Sequence, residues 1–282
     1  MAKQLRLPLP GSRYNMLVSH VPFNKTAIDK VIANGTYVTI LRHPVATYES
    51  IFGFFKFTNY IGIKYNESQD AFEKFLSQAN YYLKRLMDPY HKTLLRNRQM
   101  FDIGLAIENS DNETYIDSVI QQATKEFDLV MINEYFDESL ILLKKLLCWD
   151  FKDILYMQQN KRNDHLRFDI DEWKRQRILT INSADNKLYQ HFNKTLWRKV
   201  QEYGDNFTAD LTTFRGMLNK MKAECLDESK FVIDYQDRRN NTFLKKTAPV
   251  YCKKMKYEGF ELLDAWQKSR PILPAKTSKK LR

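Results

Sequence analysis

An arginine that follows a predicted strand is the residue best placed for chemistry in this sequence. Residues 36–41 (TYVTIL) are apolar and β-branched, which predicts a strand buried on both faces. Arg42 follows it, Pro44 begins a predicted helix, and Ser50 lies on that helix, eight residues after Arg42. A guanidinium and a hydroxyl beyond the carboxyl end of a strand supply hydrogen-bond donors for phosphate. The spacing therefore predicts an anion site, but an arginine that only caps carbonyl groups fits the same pattern.

Two further places carry candidate side chains. His20 follows a predicted strand at Tyr14–Ser19, and an imidazole can accept or donate a proton near neutral pH. Lys161 and Arg162 form a basic loop after a predicted strand at Ile154–Met157, where they would close over a phosphate. The alternative interpretations are a structural histidine and a solvated basic turn.

Three further polar residues follow predicted strands. Glu134 and Tyr135 end a predicted strand at Phe127–Asn133 and would line the same sheet edge as Arg42, contacting either a cofactor or an acceptor. His43 is interpreted as incidental. The spacing of cysteine and histidine does not indicate a zinc site, so no metal is predicted.

Alternating strands and helices predict an α/β fold with a small parallel sheet and many helices around it. Helical periodicity or helix-start and helix-stop signals mark seven segments. These are Thr26–Ile32, Ala46–Phe57, Ser68–Met87, Ile116–Phe127, Phe136–Trp149, Ser183–Tyr203 and Phe207–Leu226.

The net charge of +11 is concentrated at the ends of the chain. Residues 238–282 hold thirteen Lys and Arg against three acidic residues, and residues 1–13 add three basic ones. Residues 14–237 therefore carry a net charge of −2, which argues against a basic nucleic-acid-binding face. No run of about 18 apolar residues is present, so no membrane span is predicted.

Sequons and cysteines indicate an oxidising, glycosylating compartment. Asn-x-Ser/Thr occurs at seven positions, where composition alone predicts about two: Asn24, Asn34, Asn66, Asn112, Asn193, Asn206 and Asn240. A disulfide between Cys225 and Cys252 is possible and would leave Cys148, which is predicted to be a buried, inert thiol.

The Arg42 element resembles the 3′-phosphate-binding element of sulfotransferases that use 3′-phosphoadenosine 5′-phosphosulfate (PAPS). Across roughly residues 14–225, the chain is similar to the galactose-3-O-sulfotransferase family. The resemblance is carried by the Arg42 element and three further segments: YNMLVSHVPFN (14–24), FDLVMINEYFDESLILLKKLLCWDFKDILYMQQNKR (127–162) and LYQHFNKTLWRKV (188–200).

The resemblance implies a P-loop-NTPase-like sulfotransferase fold and transfer of sulfate from PAPS to the 3-hydroxyl of galactose on a galactosylceramide-type glycolipid or a glycoprotein glycan. Arg42 and Ser50 match the family's phosphate ligands. His20 matches the general base of the related heparan sulfate 2-O-sulfotransferases. Lys161 and Arg162 correspond to a basic loop over the nucleotide. The family also implies a Golgi-lumenal membrane glycoprotein.

The sequence has no segment that matches three features of the family: its first strand, its Lys-containing 5′-phosphosulfate loop and its signal anchor. Residues 1–13 are too short for them, so the chain is interpreted as N-terminally truncated. The predicted organisation is a leader at 1–13, a sulfotransferase-like domain at 14–237 that lacks its beginning, and a basic segment at 238–282.

Two alternatives to catalysis remain at this point. The first is an inactive fragment or pseudoenzyme that binds only nucleotide or glycan. The second, less favoured, is a basic nucleic-acid-binding protein whose affinity would depend on residues 238–282 and fall steeply with salt.

Overall fold

The computed structural model describes residues 16–17, 21–32, 34–62, 68–86, 88–158, 161–162, 167–227, 229–230, 232–233, 238–240 and 243–256. The chain divides into two compact units, which are described separately below. The first unit comprises residues 1–154 and 163–213, and the second comprises residues 155–162 and 214–282.

The described part of the chain is α/β and mostly helical. Its α-helices are α1 (Lys25–Asp29), α2 (Pro44–Phe54), α3 (Ser68–Ser77), α4 (Ala79–Arg85), α5 (Pro89–Leu94), α6 (Arg98–Asp102), α7 (Glu113–Glu126), α8 (Phe136–Leu147), α9 (Glu172–Ile181), α10 (Ser183–Tyr203), α11 (Asn206–Cys225) and α12 (Val250–Lys256). The strands are β1 (Val38–Leu41), β2 (Leu129–Ile132), β3 (Lys161–Arg162), β4 (Val232–Ile233) and β5 (Arg238–Asn240).

A parallel pair of strands organises the first unit and confirms the predicted parallel pairing. β1 and β2 run in register from Val38 opposite Leu129 to Leu41 opposite Ile132. Residues 42–128, with helices α2 to α7, form the crossover that a parallel pair requires. Because both strands end at the same edge, the residues that follow Leu41 and Ile132 are neighbours.

The two strands differ in burial, and this corrects one prediction. All four residues of β2 are buried, as its apolar sequence predicts. In β1, Leu41 is buried but Ile40 is 44% exposed, so β1 is not buried on both faces. Within the described residues, β2 is the only strand that pairs with β1, so β1 lies at an edge of this sheet, where side chains are less covered than in a sheet interior.

An aromatic core packs α2 against α3, α4 and α9. Phe52 and Phe57 are almost completely buried, and the Phe52 ring lies 4.7 Å from that of Phe72 and 5.2 Å from that of Phe75. Phe54, on the opposite side of α2, is 40% exposed. Burying each such ring contributes about 1.5–3 kcal/mol, so this core fixes the direction of α2.

Most predicted helices are confirmed, and one is divided. Ser183–Tyr203 forms α10 with the predicted bounds. The predicted helix Ser68–Met87 is instead α3 and α4, because Gln78 leaves the helical conformation at φ −126° and ψ 32°. The Ser77 hydroxyl donates to the carbonyl of Lys74 at 2.8 Å, a side-chain bond of the kind that competes with helix continuation.

The second unit contains a small antiparallel sheet in the order β3–β5–β4, which the sequence analysis did not predict. Lys161 pairs with Arg239, and Arg162 with Arg238. The predicted strand Ile154–Met157 is wrong: residues Phe151–Ile154 form a 3₁₀ helix and 155–158 form no strand. Ile154 and Met157 are both buried, a spacing of three that departs from the alternation of a strand.

The cysteines partly follow expectation. Cys225, at the end of α11, and Cys252, on α12, form a disulfide with a Cα–Cα distance of 5.6 Å. The prediction of a buried Cys148 is wrong, since this residue is exposed and adopts φ +54° as the C-cap of α8. The helix ends there because the Trp149 N–H donates to the carbonyl of Lys144 at 2.9 Å, closing the last turn.

Candidate functional site

The carboxyl edge of the parallel pair brings two polar segments together. Arg42 and His43 follow β1, and Asn133, Glu134 and Tyr135 follow β2. The His43 N–H donates to the Glu134 carboxylate at 2.9 Å and so joins the segments directly. The predicted meeting of Glu134 with the Arg42 segment is therefore confirmed, at the edge where open α/β sheets bind ligands.

Arg42 is held through its backbone. Its N–H donates to the side-chain oxygen of Gln99 at 2.7 Å, and the Gln99 side-chain amide donates to the Arg42 carbonyl at 2.9 Å. The Thr47 hydroxyl also donates to that carbonyl, at 3.4 Å. Arg42 is half-buried, and these three bonds fix the backbone from which its side chain extends.

His43, which the sequence alone suggests is incidental, lies at this edge and contacts Glu134. It is the N-cap of α2, and its Nδ1 accepts the N–H of Val45 at 3.3 Å. Burial lowers the pKa of His43, with a smaller opposing effect from Glu134 and a further lowering by Arg175. A neutral ring whose Nδ1 accepts must carry its proton on Nε2, which makes His43 a hydrogen-bond donor at the edge.

Glu134 and Tyr189 complete the described part of the edge. The Tyr189 hydroxyl donates to Glu134 at 3.2 Å, and the Tyr189 ring meets the His43 ring edge-on at 5.1 Å. Burial and the Glu134 carboxylate together raise the pKa of Tyr189, so its phenol stays protonated near neutral pH. Glu134 is exposed, and its carboxylate is fixed by two donors while facing solvent. Fixed carboxylate, phenol and imidazole groups are suited to bind hydroxyl groups.

Ser50 lies on α2, off the buried stripe formed by Val45, Tyr48 and Phe52, and is half-buried. Helix geometry places it about 9 Å along the axis from Pro44. Arg42 lies just before the first turn of α2, and the N-terminal dipole of this helix favours an anion. Ser50 lies farther along the same helix. The structure thus confirms the strand–Arg–x–Pro–helix arrangement; joint binding of one phosphate stays a prediction.

The other predicted site residues stay predictions. The predicted loop at Lys161 and Arg162 is wrong. These residues form β3 of the second unit, because their backbone pairs with Arg239 and Arg238 of β5. His20 lies outside the described residues, as does the predicted strand Tyr14–Ser19 apart from residues 16 and 17. Among the described residues, no group of three or more His, Cys, Asp or Glu side chains is arranged to hold a metal ion.

Gln99 and Tyr189 were missed by sequence reasoning, since both reach the edge from elements distant in sequence. Gln99 lies on α6, 57 residues after Arg42, and Tyr189 lies on α10, 55 residues after Glu134. No local motif marks either residue. Among the helices that the structure describes, none has the length and apolar character to cross a membrane.

Comparison with known proteins gives one consistent result. The sequence profile of the galactose-3-O-sulfotransferase family matches residues 8–268. Galactosylceramide sulfotransferase of Bos taurus is 31% identical over 226 residues, covering 79% of this chain and 52% of that protein. Galactose-3-O-sulfotransferase 3 of Mus musculus is 36% identical over 200 residues, covering 67% and 44% respectively.

Galactose-3-O-sulfotransferase 2 of Homo sapiens is 31% identical over 221 residues, covering 77% of this chain and 54% of that protein. The chain thus spans about half the length of the curated relatives it matches. No solved structure matches the chain significantly. Since the family profile covers most of the sequence, including the Arg42 edge, the chain belongs to the galactose-3-O-sulfotransferase family.

Proposed function

We propose that this protein acts in a PAPS-dependent galactose 3-O-sulfotransferase reaction, with a terminal galactose of a galactosylceramide-type glycolipid or a glycoprotein glycan as acceptor. The observation that carries the proposal is the family match over residues 8–268. The relatives' names specify galactosylceramide and galactose as substrates, and this chain shares 31–36% identity with the three proteins compared above.

The proposed nucleotide site is built on the Arg42 edge. Arg42 and Ser50 would bind the 3′-phosphate of PAPS, because a guanidinium fork matches phosphate oxygens and a hydroxyl adds a further donor. The first turn of α2 favours the same negative charge. Lys161 and Arg162 would supply additional positive charge. The net charge of residues 14–237 is only −2, so binding rests on these placed side chains and not on a general basic field.

The proposed reaction is an in-line transfer of a sulfuryl group. The galactose 3-hydroxyl attacks sulfur as the bond from sulfur to the bridging phosphate oxygen breaks, and 3′-phosphoadenosine 5′-phosphate (PAP) leaves. The hydroxyl proton passes to the imidazole of His20, the proposed general base. Glu134 and Tyr189 would hold acceptor hydroxyl groups. The assignment of His20 is supported by the family resemblance alone.

The proposal extends to fold and compartment. A parallel pair with polar side chains at its carboxyl edge agrees with the proposed P-loop-NTPase-like sulfotransferase fold. A location on the lumenal side of the Golgi membrane is supported by the Cys225–Cys252 disulfide and by exposed sequon asparagines. Those in the described part of the chain are Asn24, Asn34, Asn112 and Asn206. Residues 14–237 remain the proposed sulfotransferase domain, flanked by the 1–13 leader and the basic segment 238–282.

The test is transfer of labelled sulfate from PAPS to galactosylceramide and to lactose, with PAP binding measured on the same preparation. We expect label on the galactose of at least one acceptor. PAP binding without transfer would support the binding-only alternative. Absence of both transfer and PAP binding would reject the proposal.

A variant test separates the base from the nucleotide site. His20→Ala should lower transfer at least about a hundredfold, since a general base contributes that much, while PAP affinity stays unchanged. His191→Ala is the matched control, because His191 contacts Thr124 between α7 and α10 and has no proposed role. Full transfer by the His20 variant would remove the assignment of His20.

A further inference from the structure

Gln99 occupies the place that a neighbouring strand would take beside Arg42. The last pair of the parallel ladder is Leu41 opposite Ile132, and Arg42 lies one residue beyond it. There the Gln99 side-chain amide accepts the Arg42 N–H at 2.7 Å and donates to the Arg42 carbonyl at 2.9 Å. One side chain thus satisfies both backbone groups of Arg42, as the backbone of an adjacent strand would do.

Gln99 is itself held by a buried carboxyl group. Asp185, near the start of α10, accepts the N–H of Gln99 at 3.2 Å and the N–H of Met100 at 2.8 Å. Asp185 is 2% exposed and Gln99 is 9% exposed, so these bonds form away from water. They fix the backbone from which the Gln99 side chain extends to Arg42.

Two buried asparagines hold the residues just before Gln99 against the start of α10. Asn97, which precedes α6 at φ +48°, donates its N–H to the side-chain oxygen of Asn182 at 2.9 Å. Its own side-chain oxygen accepts the N–H of Asp185 at 3.2 Å. Asn97 and Asn182 are 2% and 3% exposed. Reciprocal bonds of this kind join α6 to the start of α10 through polar side chains whose partners are all supplied by the fold.

We propose that Gln99 is a positioning residue for the phosphate ligand Arg42, and that Asn97, Asn182 and Asp185 form the buried support that fixes Gln99. The inference rests on the proposed function, because it assigns Gln99 to the same phosphate site. The physical reason is that the Arg42 backbone sets the direction of its side chain. A displacement of about 1 Å in a supporting group is enough to weaken a site that depends on geometry.

The test compares PAP with adenosine 5′-monophosphate, which lacks the 3′-phosphate. Gln99→Met keeps the length of the side chain but removes both hydrogen bonds. We expect it to weaken PAP binding roughly tenfold while leaving binding of the monophosphate unchanged. Gln122→Met is the control, since Gln122 is an exposed glutamine on α7 whose amide bonds only Glu126 among its described contacts. Equal weakening of both nucleotides would indicate a general structural defect and overturn the inference.

A double-mutant cycle separates the failure of this inference from that of the proposed function. On an Arg42→Ala background, Gln99→Met should cause no further loss of PAP affinity, because Gln99 acts through Arg42. If Arg42→Ala alone changes nothing, the proposed phosphate site fails. If Arg42→Ala weakens binding but Gln99→Met does not, or if the two losses add fully, only the role of Gln99 fails.

Hydrogen exchange tests the positioning without any nucleotide. In the Gln99→Met variant, the amide of Arg42 should exchange at least about tenfold faster, whereas the paired amides of β2 should stay protected. Unchanged exchange at Arg42 would show that Gln99 does not hold this backbone and would overturn the inference directly.

Discussion

The sequence predicts phosphate contacts in two regions, at Arg42 and at Lys161 with Arg162. The secondary structure that holds these residues differs between the two regions. Arg42 follows a parallel strand, and its backbone is held by a buried polar network that reaches from α6 to α10. Lys161 and Arg162 form a two-residue strand in a small antiparallel sheet of a unit that carries a disulfide.

The first region has a fixed backbone, and the second has more basic residues. The Lys161 and Arg162 strand pairs with a further basic strand at Arg238–Asn240, so positive charge is abundant there. At the Arg42 edge, buried groups from distant segments determine the backbone of the proposed ligand. Specific binding of a phosphate needs fixed donors more than it needs net charge, so we expect the Arg42 edge to dominate nucleotide affinity.

The largest expected effect concerns the buried support of the Arg42 edge. Burial raises the pKa of Asp185 to about 7, although the N–H groups of Met100 and Gln99 oppose this rise. The folded protein therefore retains a proton that the unfolded chain, with a carboxyl pKa near 3.8, has already released. Stability should accordingly fall as pH rises from about 4 to about 7, by on the order of 4 kcal/mol from this group.

Denaturant unfolding at a series of pH values measures this effect. Asp185→Asn cannot ionise, so its free energy of unfolding should lose that part of the pH dependence. It should also cost about 1 kcal/mol at pH 5, because the amide can accept only one of the two N–H bonds. An identical pH dependence in the variant and the natural chain would contradict the raised pKa of Asp185.

A slightly smaller effect is expected in the second unit. Removing the Cys225–Cys252 disulfide by a double alanine substitution should destabilise that unit by about 3 kcal/mol, since the cross-link restricts the unfolded chain. Hydrogen exchange in α12 provides the local measurement. Cys148→Ala is the control, because Cys148 is exposed at the end of α8 and should change stability by less than about 0.5 kcal/mol. Unchanged protection of α12 would show that the disulfide does not support this unit.

The smallest expected effect is that of the predicted basic contacts. Replacing both Lys161 and Arg162 with alanine should weaken PAP binding only about fivefold, and the loss should shrink at high salt, as for partly screened charges. Titrations at low and high ionic strength check this. A loss larger than that of Arg42→Ala would reverse the comparison and make the second unit the main source of affinity.

The parts of the molecule that the sequence predicts well are those with local signals. The β-branched run before Arg42, the proline at the start of α2 and the long amphipathic stripe of α10 are each encoded within a few turns of chain. They therefore place Arg42 and Ser50 correctly on a strand end and the helix that follows. The buried run at Leu129–Ile132 likewise identifies β2 and its meeting with β1.

The parts that escape prediction depend on contacts between distant residues or on elements too short to show a period. Gln99 reaches Arg42 across 57 residues, and Asp185 reaches Gln99 across 86. Strands β3, β4 and β5 have two or three residues each, too few for alternation to be visible. Cys148 ends α8 in the left-handed region, where a glycine is usual. Because no glycine marks this end, the sequence predicts that the helix continues through Cys148.

The central claim is that Arg42 is a phosphate ligand of the nucleotide, and calorimetric titration with PAP tests it most directly. We predict that the 282-residue chain binds PAP, that Arg42→Ala weakens binding tenfold to a hundredfold, as expected for loss of charge-assisted hydrogen bonds, and that Arg198→Ala leaves it unchanged. Arg198 is the matched control, because its side chain on α10 is 64% exposed and lies near Glu202. Failure of the natural chain to bind PAP, or equal affinity in the Arg42 variant, would contradict the account.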